Sequence, residues 1–265
     1  MGHWYTREGE SCHFVEGKNG VMRDATLRDA RKLGLVPGFS GVTSVLAKPG
    51  LDKWKENQIL EAAFSTAVPL PEMVDGDQYS AWKLNVKTLA SERSLKARDR
   101  GTEIHNAIEE YIKVGLHEDF PVEFEPYIVG VESALKDELG LSLSALEAET
   151  TFSSTLGYGG MIDGLTRSTV YSMDEAHGLL LDWKTKDKEF DDKTKLVFDE
   201  HGMQLAAYRH GVGLESAVCA NVFISPSAKI RIHIWKEDEL VRLFDKFKTC
   251  LKLWQQDRKY DSGWV

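Results

Sequence analysis

The apolar positions of this chain change their period about halfway along. Up to Gly140 they recur mostly three and four residues apart, as they do on helices with one buried face; from Ala145 onward, alternating or continuous apolar runs take over, as they do on strands. TLRDARKLG (26–34) reads as a short helix ending at Gly34, SGVTSVLAKPG (40–50) as a second stopped by Pro49-Gly50, and LDKWKENQILEAAFST (51–66) as a third, ahead of a Pro-rich break at Val68 to Pro71. Residues 78–115 are long enough for one or two helices in series, and PYIVGVESALKDELG (126–140) makes another. The pattern predicts a mainly helical segment over residues 1–96, with the body of the fold over 97–265.

In the second half ALEAETTFS (145–153) alternates, and GYGGMIDGLT (157–166) and GLLLDWKT (178–185) form an expected antiparallel pair joined by a polar hairpin. After the helical stretch HGMQLAAYRHGVG (201–213) come two more strands, AVCANVFIS and KIRIHIW, with Ser225-Pro226-Ser227 as the turn between them. The last helix spaces Leu240, Leu243, Phe244, Phe247, Cys250, Leu251 and Trp254 by threes and fours, which is a core stripe. Helices, three strands, helix, two strands, helix: the order predicts an α/β fold, a central mixed sheet flanked by helices with an N-terminal helical elaboration.

Composition narrows the class. At 265 residues and 42% hydrophobic, the chain can bury a substantial core, and no apolar run approaches a membrane span. Cys12, Cys219 and Cys250 lie far apart without C-x-x-C spacing, which suits a reducing, cytoplasmic compartment and speaks against a zinc or iron–sulfur site. The net charge of −9 is unusual for a protein that handles nucleic acid, but the cations are clustered: Arg93, Lys96, Arg98 and Arg100 in one group, Lys184, Lys186 and Lys188 in another. An acidic total with local basic clusters fits an enzyme that grips DNA in a narrow channel. No glycine-rich loop leads into a helix as a nucleotide site requires, so no nucleotide cofactor is expected.

The candidate chemistry lies between Gly157 and Lys186. Asp163 is expected at the end of one apolar strand and Asp182-Trp183-Lys184 at the end of the next. Side chains two apart on a strand share a face, so Asp182 and Lys184 point together while Trp183 points back into the core. Uncompensated charges there are costly; a divalent metal ion held between Asp163 and Asp182 removes the cost and gives Lys184 a task. His105 and Glu109 share a helix face one turn apart, and a neutral imidazole is a good ligand for a divalent transition metal. Glu149 faces the same site or is an exposed strand carboxylate, with Glu147 as the alternative on its face. Gln204 and Tyr208, one turn apart, share a face of the helix that follows.

In this order, G-x-x-x-H-x-x-I-E, then E…GYGG-x-I-D, then LLDWKTK, then Q-x-x-x-Y, the chain resembles the PD-(D/E)XK nuclease superfamily, in particular its RecB nuclease-domain type, whose single-chain phage and mitochondrial exonucleases it looks nearest to. Val42 to Trp54 also resembles a segment that precedes the His motif there, with Gly41 standing where relatives have Ser. The resemblance covers most of residues 40 to 210. It implies a restriction-endonuclease-like core and a Mg2+- or Mn2+-dependent deoxyribonuclease without an iron–sulfur cluster. It implies Asp163, Asp182, the backbone carbonyl of Trp183 and His105 as metal ligands. Lys184 would orient the attacking water, and Glu149 would be an accessory acidic residue. Gln204 and Tyr208 would hold DNA, Tyr208 through its ring or its hydroxyl, with Thr43, Trp54, Arg98, Arg100 and Lys186 as further DNA-binding residues.

The expected activity is exonucleolytic cleavage from single-stranded DNA ends, in phage or prophage-type DNA processing or recombination, with a single-strand-binding or recombination protein as a partner, no membrane partner, and the host cytoplasm as its place if phage-encoded. A structure-selective endonuclease would use the same groups, and a non-catalytic DNA-end-binding protein would have lost some of them. Trp54 and Trp82 would stack bases or simply pack helices together.

Overall fold

The computed structural model of the protein describes residues 3–65, 76–169 and 177–264. Its elements are β1 (Trp4–Tyr5), β2 (Phe14–Glu16), β3 (Met22–Asp24), α1 (Leu27–Leu33), β4 (Val36–Pro37), α2 (Phe39–Val42), α3 (Pro49–Ala63), α4 (Gly76–Val114) and α5 (Glu125–Leu139). They continue with β5 (Glu147–Ser154), β6 (Tyr158–Thr169), β7 (His177–Thr185), α6 (Asp199–Gly211), β8 (Val218–Ile224), β9 (Ile230–Ile234) and α7 (Glu237–Arg258). Val68 to Pro71 and the polar hairpin between β6 and β7 lie outside the described residues.

Strands β5 to β9 form one mixed sheet in sequence order, antiparallel except for the parallel pair β7–β8. Parallel neighbours need a crossover, and α6 supplies it. The alternation along β7 sorts the two faces. Leu179, Leu181 and Trp183 join α5 (Ile128, Val131, Leu135) in one buried layer; Leu180 joins α6 and α7 (Met203, Leu205, Leu243, Phe247) in the other. Both faces are thus covered by helices, and β8 is buried along its whole length, as a central strand requires. Cys219 and Cys250 both lie in the second layer.

Backbone contacts divide the chain into two compact units, one of residues 1–46 with 104–265, the other of residues 47–103. The expected division fell at 96/97, so residues 1–46 belong with the sheet. Burial explains this: Trp4 packs on Trp254 of α7 with ring centroids 6.2 Å apart and donates its indole N–H to the Ala25 carbonyl, and the Tyr260 hydroxyl donates to the Leu35 carbonyl. The N-terminal segment is also less helical than expected, with two small antiparallel ribbons, β1–β4 and β2–β3. Strands of two or three residues are too short for alternation to show.

Pro49 opens α3 where it was expected to end a helix; its missing N–H costs nothing in a first turn. The stretch before it holds only α2 and a 3-10 turn over Thr43–Val45. Residues 78–114 lie in one helix, α4. In the unit of residues 47–103, Ala62, Val86 and Ala90 form a small core that Trp82 and Leu89 pack against.

Candidate active site

Asp163 and Asp182 both lie in the interior of their strands, not at the ends as expected: the β6–β7 ladder stops at Gly164 and Leu181, just short of them, but β6 goes on pairing with β5 and β7 with β8. Asp182 is almost sealed, at 3% exposure. Its Oδ1 accepts a 2.7 Å bond from Lys184 Nζ, and its Oδ2 accepts a 2.6 Å bond from Asn221 Nδ2. Lys184 lies two residues along the same face, as the strand period requires. Asn221 comes from β8, where the parallel register sets it directly beside Asp182. Trp235 Nε1 donates to Asn221 Oδ1 at 2.7 Å, which fixes which end of the amide meets the carboxylate.

Asp163 is held differently. Its Oδ2 accepts the backbone N–H of Trp183 at 2.9 Å. Burial, then the negative charge of Asp182, raise its pKa from 3.8 to about 7, with Lys184 and the Trp183 bond opposing. Asp182 is therefore close enough to disfavour the charge of Asp163. His105, half-buried on α4, sits in the same field: burial lowers its pKa to about 4, Asp182 pulls the other way and Lys184 adds to the depression. It is a neutral imidazole at pH 7.

Helix α6 closes the site from the sheet face that carries Asp182 and Lys184. Gln204 Oε1 accepts a 3.3 Å bond from Lys184 Nζ, and Gln204 is hydrogen-bonded in turn to the Tyr208 hydroxyl. Burial, then the neighbouring Tyr5 phenol and the carboxylates of Asp182 and Asp163, push the Tyr208 phenol well up. Its ring, 8% exposed, packs edge-on against Phe152 and Phe39 at centroid distances of 5.2 and 6.3 Å. Of its two expected contact modes, only the hydroxyl is left to face the site. Glycines make this approach feasible: a Cβ on Gly160 would stand 2.6 Å from the Tyr208 ring, and one on Gly159 would stand 2.8 Å from Tyr5 Cβ.

The other expected residues are more scattered. The flanking pairs Ala148–Gly164 and Thr150–Ile162 place Glu149 opposite Asp163, with a φ of 51° that a glutamate rarely adopts. Glu149 shares a hydrogen bond with Glu109 and lies 3.8 Å from Lys113, which pairs with Glu109; burial, then that neighbouring carboxylate, raise the Glu149 pKa. Lys186 is half-buried, its ammonium 5.0 Å above the Phe223 ring, and burial and Lys184 lower its pKa. Thr43 is fully buried and its hydroxyl has no partner among the described residues, so it presents nothing to a ligand directly. Trp54, Arg98 and Arg100 belong to the unit of residues 47–103. Trp54 and Arg98 line one cavity there of about 680 Å3 together with Lys55, Gln58 and Lys87, and Arg100 pairs with Glu103 at 3.1 Å.

Asn221, Tyr5 and His201 are site-facing residues that the sequence reading did not single out. Asn221 left a signal, as the one polar residue inside an apolar strand; its complete burial means its amide must be bonded. Tyr5 left none. Burial, then Asp163, push its phenol up to about 12, and it reaches this point only because the N-terminal ribbon runs against β6.

Among the described residues, no three His, Cys, Asp or Glu side chains converge as a ready-made metal group. The donor chemistry nevertheless fits a divalent ion. Two carboxylates that repel each other and a neutral imidazole beside one of them are all groups that a cation would stabilise. Asp182 meanwhile has both oxygens engaged, by Lys184 and by Asn221.

No known protein family matches the sequence, and no curated protein matches it. Among solved structures the chain is similar to one described as the crystal structure of SSO0001, with 16% identity, 75% of this chain and 85% of that chain covered, and a TM-score of 0.31. A likeness that loose carries no argument about what the chain does.

Proposed function

We propose that this chain is a metal-dependent deoxyribonuclease with a PD-(D/E)XK core, acting as an exonuclease on single-stranded DNA ends. One observation carries the reading: Asp163 and Asp182 repel each other from adjacent strands, and Lys184 stands on the same strand face with its ammonium on Asp182. A mixed sheet that spends two half-buried or buried carboxylates and an ammonium in one place is destabilised unless a ligand engages them.

Asp163, Asp182, the carbonyl of Trp183 and His105 are the groups that would hold magnesium or manganese. Such an ion supplies charge neutralisation of a nonbridging phosphate oxygen and a bound water of lowered pKa. Lys184 directs its ammonium at the negative charge that develops on the phosphate, a task its reach between Asp182 and Gln204 prepares. Asn221, braced by Trp235, keeps one Asp182 oxygen turned into the sheet and so aims the other toward Lys184 and the site. Gln204 and the Tyr208 hydroxyl offer a further polar pair to the substrate backbone. The Lys, Trp and Arg groups around the cavity of the second unit support a path for a single strand.

The test is digestion of single-stranded DNA labelled at its 5′ or its 3′ end, beside a circular single strand, with magnesium, manganese, calcium or chelator. The expected result is end-dependent release of label with magnesium or manganese, none with calcium or chelator, and an intact circle. Cutting of the circle would replace the exonuclease by an endonuclease; full activity in excess chelator would remove the metal.

A further inference from the structure

His201 lies three residues before Gln204 and seven before Tyr208, on the same face of α6. It is half-buried, and its Nδ1 is sealed from solvent with no hydrogen-bond partner among the described residues. An unpaired buried ring nitrogen is costly, and a neutral imidazole that leaves one nitrogen bare carries its proton on the other. Burial first, then the charges of Lys184 and Lys186, oppose protonation of the ring, and Asp182 and Glu200 favour it.

The surroundings form a chain of ring and ammonium contacts. The His201 ring lies 5.6 Å from Phe223, and Lys186 Nζ lies 5.0 Å above that same ring. His201 also meets Phe198 edge-on at 5.7 Å, and Lys195 Nζ stands 5.2 Å over Phe198. Phe198 is 49% exposed although it precedes a helix that buries most of its length. The cations of this group also differ from their neighbours. Arg242 and Lys246 are paired with Asp199, Arg209 with Glu237, and Lys229 and Arg231 with Asp192; among the described residues no ion pair joins Lys186 or Lys195 to a carboxylate. Two unneutralised ammoniums, an N–H donor and an exposed phenyl ring make a surface for an alternation of phosphate and base.

We propose that Lys186, His201, Phe198 and Lys195 seat the nucleotide that flanks the scissile phosphate, with His201 donating its N–H to that nucleotide's phosphate and Phe198 lying against its base. The inference rests on the nuclease reading, since Lys184 and Gln204 adjoin this group. His201 here binds the substrate beside the scissile bond and does not touch the reacting atoms.

The test is a chemical double-mutant cycle. Binding of dye-labelled single-stranded DNA is measured in calcium by fluorescence anisotropy, with one uncharged methylphosphonate linkage moved along the strand, for the wild-type chain, His201→Ala and His201→Gln. At one linkage the neutral group weakens wild-type binding by about tenfold, the scale of a hydrogen bond to a charged group. His201→Ala abolishes that penalty and only that one, and His201→Gln, which keeps an N–H, restores most of it. Equal penalties at every linkage in the wild type and His201→Ala, or no binding at all, overturn the proposal. Cleavage with magnesium or manganese by a wild type whose penalties are additive leaves the nuclease reading standing without this seat. The non-additive pattern in a chain that does not cleave with magnesium or manganese leaves the seat and removes the nuclease.

Discussion

Asp163→Asn should stabilise the metal-free protein at alkaline pH while abolishing cleavage. The carboxyl pKa rises from 3.8 to about 7 on folding, through burial first and the Asp182 charge second. A carboxyl raised on folding binds more protons in the folded state, so stability falls as pH climbs through the interval and the full penalty holds above about pH 7. Some three pKa units at about 1.4 kcal/mol each set a ceiling of about 4 kcal/mol, and the group's incomplete burial brings the expectation to about 2–4 kcal/mol. Asparagine keeps the shape and an oxygen for the Trp183 N–H but carries no charge. Urea unfolding in chelator, from about pH 4 to about pH 8, should therefore show variant and wild type nearly equal at the acid end and the variant ahead at the alkaline end. Manganese should close the gap by stabilising the wild type alone. A variant that is less stable than wild type at about pH 8, or a difference that does not change with pH, would refute the electrostatic account of this pair.

Lys184→Ala and Asp182→Asn should each lower single-turnover cleavage by about a hundredfold or more with the fold retained, as judged by circular dichroism; near-wild-type rates in either would move the chemistry elsewhere. Tyr208→Phe should lower cleavage or DNA binding through the lost hydroxyl, with a melting temperature close to wild type, whereas Tyr208→Ala should lose about 3–5 kcal/mol of stability because the ring lies in the core. Gly160→Ala should cost roughly 1–3 kcal/mol or more in chemical denaturation, since its methyl group would stand 2.6 Å from the Tyr208 ring and 2.8 Å from Phe152.

Much of the site was legible one residue at a time, because local periodicity decides which side chains share a face. The alternation of β7 put Asp182 and Lys184 together with Trp183 behind them, and the turn of α6 put Gln204 beside Tyr208; both hold in the structure. The same periodicities set the order of the five-stranded sheet's elements, and the helical capping glycines Gly34 and Gly140 stand where the runs ended. Tertiary structure alone decided the rest. Asn221 meets Asp182 because β8 pairs parallel to β7 in one register out of several, and a shift by one residue would turn it to the other face. Tyr5 meets Asp163 and Tyr208 across more than 150 residues of chain, through an N-terminal ribbon too short to announce itself. The helix period placed Tyr208 beside Gln204 without saying what would cover its ring, which became core only when Phe39, Phe152 and Gly160 closed around it. His201 acquired its place from Phe223 and Lys186, one on the next strand and one beyond the end of β7. Contacts of this kind depend on which distant surfaces bury each other, and a one-dimensional pattern of polar and apolar residues specifies that a face will be buried without specifying by what.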